Sequence, residues 1–196
     1  TVLSLAPAII VMLTSFTRII VVLSFVRSAL ALQQMPPNQV LIGLALFLTL
    51  FTLAPTWQAA YEDGLQPYLA GELTEADALA RVSEPIRDFM FQHTREQDLA
   101  LFIDLSGAER PASPEDVSTV TLIPAFIISE LRTAFQLGFI LFIPFLVIDM
   151  IVASTLMSMG MLMLPPVMIS LPFKVLLFVM VDGWHLITRS LLLSFQ

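Results

Sequence analysis

A chain of 196 residues that is 57% hydrophobic, only 13% charged and free of cysteine does not have the composition of an ordinary soluble domain, in which about a quarter of residues are charged. Its formal net charge of −7 comes from one stretch: Glu62 to Asp116 holds 13 acidic residues and four arginines, and the remainder is net +2. Thiol chemistry is excluded, and no basic stripe exists for nucleic acid.

The chain opens on Thr1 rather than a methionine, as a processed or trimmed N-terminus would. Leu3 to Leu32 is apolar, broken by charge only at Arg18 and Arg27, and exceeds the roughly 20 residues that span a bilayer. Gln33 to Asn38 is a polar turn punctuated by two prolines. Gln39 to Ala54 is a second apolar helix closing at Pro55, so these segments form a helical hairpin. In the acidic insert, Ser83 is placed to cap a helix with Pro85 in its first turn, with Ile86, Phe89 and Met90 on one face. Thr94 is placed to cap the next, where Leu99, Phe102 and Ile103 repeat that spacing until Gly107. Two short amphipathic helices have too little core to stand alone, so their apolar faces should dock on the chain's own hairpins or on neighbouring subunits.

Leu122 to Met159 is apolar again, 38 residues or about 57 Å if fully helical. That is too long for one upright span, and Pro144 should kink it. Next comes MSMGMLMLPP (Met157–Pro166), and six of the ten methionines lie between Met150 and Met168. Apolar runs flank it, so it is the apex of a second hairpin whose return arm is one helix from Pro172 to Phe195. Methionine fills irregular gaps and reshapes at low cost. Such an apex is either core filler or a deformable apolar seal. The fold class is therefore all-α: hairpins at 1–55 and 119–196, with a helical insert at 56–118.

Charges within apolar helices are costly unless paired or wetted, and so are functional candidates: Arg18, Arg27, Glu130, Arg132, Asp149, Lys174 and Asp182. The midpoint between Asp149 and Lys174 falls between Met161 and Leu162. In an antiparallel hairpin the two would lie at equal height, able to pair within a chain or between copies. Arg18 and Arg27 would snorkel or face a partner subunit. No pattern supports catalysis, a metal or a cofactor. His93 and Glu96 make too small a ligand set, His185 stands alone beside Trp184, and neither a nucleophile elbow nor a phosphate loop is present.

Five blocks carry a family resemblance: SFTRIIVVLSFVR (Ser15–Arg27), PPNQVLIGLALFLTLF (Pro36–Phe51), TREQDLALF (Thr94–Phe102), SELRTAFQLGFILFIPFLVIDM (Ser129–Met150) and MGMLMLPPVMISLPFKVLLFVMVDGW (Met159–Trp184). Together they resemble the FliP family, flagellar members of the type III secretion export gate. The resemblance implies about five copies assembling with FliQ and FliR into a closed, helically arranged pore, in contact with other export-apparatus subunits. Unfolded export substrates leave the cytoplasm through it. It further implies a gate at the bacterial inner membrane in the flagellar basal body, lifted largely out of the bilayer plane, with the insert periplasmic and both hairpin turns facing the cytoplasm. A methionine gasket on the pore axis carries over to Met161 and Met163, with Met159 beside them. Relatives commonly have three successive methionines, and here Leu162 takes the middle position with similar volume. The competing reading is a self-contained ion-coupled channel or secondary transporter working through Asp149, Lys174 and Asp182.

Overall fold

The structure, a computed structural model, describes residues 11–107, 111, 113, 116–161 and 163–195. Leu162, and residues 1–10 at the start of the first apolar segment, lie outside the described residues. The described chain is all-α. Its helices are α1 (Phe16–Ala29), α2 (Asn38–Thr52), α3 (Ala54–Ala60), α4 (Gln66–Leu69), α5 (Glu75–His93), α6 (Glu96–Ser106), α7 (Thr119–Ser158), α8 (Pro166–Met180) and α9 (Gly183–Leu193). A π-helical turn, Tyr61–Leu65, joins α3 to α4. The chain forms two compact units, one of residues up to Arg18 with Leu46–Thr133, the other of Ile19–Ala45 with the chain from Ala134 onward.

In the first unit, α5 begins earlier than its sequence signals indicate. Thr74 is the cap, accepting from the Asp77 amide at 3.3 Å and donating to its carboxylate at 2.7 Å. Ser83 lies in the helix interior and donates back to the Ala80 carbonyl. Pro85 gives up one backbone bond without ending the helix. The proposed Ser83 cap is thus replaced by the Thr-x-x-Asp start upstream, which satisfies exposed amides just as a capping box does. Thr94 likewise closes α5, donating to the Met90 carbonyl at 2.6 Å, and does not cap α6, whose N-cap is Arg95. Gly107 ends α6 in the left-handed region at φ +66°. Phe89 and Met90 are buried, with Phe89 edge-on to Phe126 of α7 at 6.0 Å. That face of the insert therefore docks on the chain's own long helix.

In the second unit, Ile19, Val22, Leu23, Val26 and Ala29 give α1 a buried stripe at helical spacing. Gly138 of α7 admits the Phe25 ring so closely that a Cβ there would lie 2.5 Å from it, and Phe25 also meets Phe135 edge-on at 5.1 Å. Arg27 donates to the Asn38 side chain at 2.5 Å, stapling the end of α1 to the start of α2. The single return helix foreseen from Pro172 is two helices. Pro172 lies inside α8, and the chain bends 65° between α8 and α9. Asp182 makes the break in the left-handed region at φ +50°, and Gly183 packs where a Cβ would strike the Phe178 ring at 2.4 Å. No proline marks that break.

Helix α7 runs 40 residues, about 60 Å, through Pro124 and Pro144 without interruption. Among the described helices it alone is long and apolar enough to cross a membrane. The count among described helices rises to three if each bent pair, Asn38–Thr52 with Ala54–Leu69 and α8 with α9, makes one span.

Candidate functional site: a methionine apex above a buried charge node

Helix α7 ends just before the methionines. The Met161 amide bonds to Leu156 O at 3.0 Å and the Gly160 amide to Met157 O at 3.1 Å, with Gly160 at φ +73°. This is a Schellman closure, which needs a left-handed residue at that point and so favours glycine. Open space surrounds the site of a Gly160 Cβ, so Gly160→Ala should cost only the left-handed penalty, about 1–2 kcal/mol. Thermal melting of the extracted complex measures it; an unchanged melting temperature would show that the closure does not hold the apex. Around the closure, Met157, Met159, Met161 and Leu164 are exposed, and Met163 is 97% exposed. Exposed apolar side chains grouped at one turn are a candidate interaction surface.

Below the apex, Lys174 of α8 is only 2% exposed. Its Nζ donates to Asp149 Oδ2 at 2.6 Å and to Ala29 O at 3.1 Å. Ser170, one turn before it on α8, donates to Asp149 Oδ1 at 2.5 Å. The ammonium thus sits at the C-terminal end of α1, where helix carbonyls lack intrahelical partners and the macrodipole favours a cation. Asp149 lies nine residues before Ser158 and Lys174 eight after Pro166, so each is about 12–14 Å from the apex. The pair forms within one chain. Ser170 and the Ala29 carbonyl were not singled out from sequence; the only available signal was the i, i+4 spacing of Ser170 and Lys174.

A second node lies in the first unit. Arg18 forks onto Glu130, Nε to Oε2 at 2.9 Å and Nη2 to Oε1, with both residues buried. Arg18 is therefore paired inside the chain and does not snorkel. The adjacent Ser129 accepts from the Arg95 amide at 3.0 Å and donates to Asp98 Oδ2 at 2.7 Å, tying the start of α6 to α7. Arg132, Asp182 and His185 are exposed and lie outside both nodes. His93 holds Nδ1 at 2.8 Å from the Phe89 carbonyl and stacks on that ring.

Comparison with known proteins matches residues 1–191 to the FliP family. The chain is 60% identical to the flagellar biosynthetic protein FliP of Bacillus subtilis (strain 168), covering all of this chain and 88% of that one. It is 53% identical to FliP of Caulobacter vibrioides, with 100% and 74% covered, and 46% identical to FliP of Aquifex aeolicus, with 100% and 83% covered. The methionine apex and both charge nodes fall inside the matched region, and the chain belongs to the FliP family.

Proposed function

We propose that the chain is a pore-forming subunit of the flagellar type III export gate and that its methionine apex seals the closed pore. As a family member it is a component of the flagellar export apparatus. The observation that carries the finer reading is the apex itself: thioether side chains held outward by a glycine closure and left uncovered in a single chain. Several such apices meeting on an axis would make a soft plug that deforms around an emerging polypeptide and closes again. Exposed apolar residues on α2, α7 and α8, among them Phe47, Phe51, Phe139, Ile140 and Phe173, support further copies of this chain, FliQ, FliR and lipid as neighbours. In this reading the gate sits at the inner membrane, and residues 56–118 are its acidic periplasmic module. Export substrates cross it unfolded.

Replacing Met161, Leu162 and Met163 together by glycine tests the seal. The complex should still assemble, while cells lose potassium and other small ions with the gate at rest. Assembled variants that stay ion-tight would exclude a sealing role. A self-contained transporter would instead move a solute as the purified chain alone, with Asp149 and Lys174 in water; Lys174 is buried and bonded.

A further inference from the structure

Ser170 has no part in the reading above, yet it is fully buried and holds the oxygen of Asp149 that Lys174 leaves free. We propose that Ser170 is a positioning residue that keeps the apex closed by fixing the height of α7 against α8; the proposal rests on the apex being the seal. A carboxylate held at one oxygen can swing about its broad final torsion. Held at both oxygens by groups one helical turn apart, it allows a single register. A slip of α8 by one turn, about 5.4 Å, moves one of the two groups into the other's place, so the carboxylate keeps at most one of its two bonds and the native register is the one that satisfies both oxygens. The third bond of Lys174, to the Ala29 carbonyl, ties that register to the end of α1. Ser170 lies four residues, about 6 Å, into α8, nearer the apex than any other part of the node. Displacement there passes directly into the loop bearing the methionines.

The test compares Ser170→Ala, Ser170→Cys and Ser170→Thr in the full export complex, beside the triple glycine variant of the apex. Assembly is read by native mass and closure by potassium efflux from cells. A hydrogen bond to a charged group shifts such an equilibrium by about tenfold or more. Ser170→Ala and Ser170→Cys should therefore assemble and leak about tenfold faster than the native gate, while Ser170→Thr, which retains the hydroxyl, stays tight. Efflux at the native rate from assembled Ser170→Ala, with the triple glycine variant leaking, overturns the role of Ser170 and spares the seal. If the triple glycine variant is itself tight, the seal fails and this inference with it. Should Ser170→Ala not assemble, Ser170→Cys decides: assembled and leaky supports positioning, while assembled and tight, or unassembled, makes Ser170 a packing residue.

Discussion

Asp149→Ala or Lys174→Ala alone should remove most export activity: the first strands the buried Lys174 ammonium at a cost of about 3–5 kcal/mol, and the second leaves the half-buried Asp149 carboxylate held by Ser170 without its cation. The lysine is the worse to strand, since with its carboxylate gone only the Ala29 carbonyl remains among its bonded partners. The exchange Asp149→Lys with Lys174→Asp should recover part of the activity but not all. A lysine on α7 is no longer placed at the end of α1, and a carboxylate at position 174 would face that same electronegative end. The pair closes within one chain, so co-expressing the two single charge reversals should give no rescue in trans. Secretion of flagellar subunits into the medium, with native mass to confirm assembly, reads the outcome. A double exchange no better than either single reversal would sink the pairing as the reason these charges exist.

Glu130→Ala is the second change expected to be severe. It leaves the Arg18 guanidinium without the carboxylate on which it forks, again a loss of about 3–5 kcal/mol. Arg18→Lys should be nearly as damaging, because an ammonium cannot reproduce the two parallel donors. The double substitution Arg18→Met with Glu130→Leu removes both charges at similar volume and should be closer to native than either single alanine change. Thermal melting of the detergent-extracted complex across this cycle supplies the comparison. Additive losses in the double variant would mean the two side chains do not stabilise one another.

The difference between these nodes explains how much could be read beforehand. Asp149 and Lys174 lie on the two arms of one hairpin, so counting outward from between Met161 and Leu162 brings them level. Arg18 and Glu130 lie 112 residues apart on different helices, and no local periodicity relates them. The Ala29 carbonyl is invisible in any sequence, because every residue has one and only the fold decides which is free. Helix positions were legible wherever hydropathy changed abruptly. The α5 start and the α8–α9 break were missed for opposite reasons: Pro85 imitates a helix beginning, and the break at Asp182 uses a left-handed aspartate and no proline. The all-α class and the apex followed from composition and spacing alone.

The Schellman closure at Gly160 also bears on friction. Among the last carbonyls of α7, those of Thr155, Leu156 and Met157 already accept bonds, from the amides of Met159, Met161 and Gly160. If the apex is the proposed seal, an extended chain passing it would find these three acceptors already engaged and would meet mainly thioethers, which attract without direction. In the proposed gate, cargo of any sequence would slip over such a surface with little to hold it.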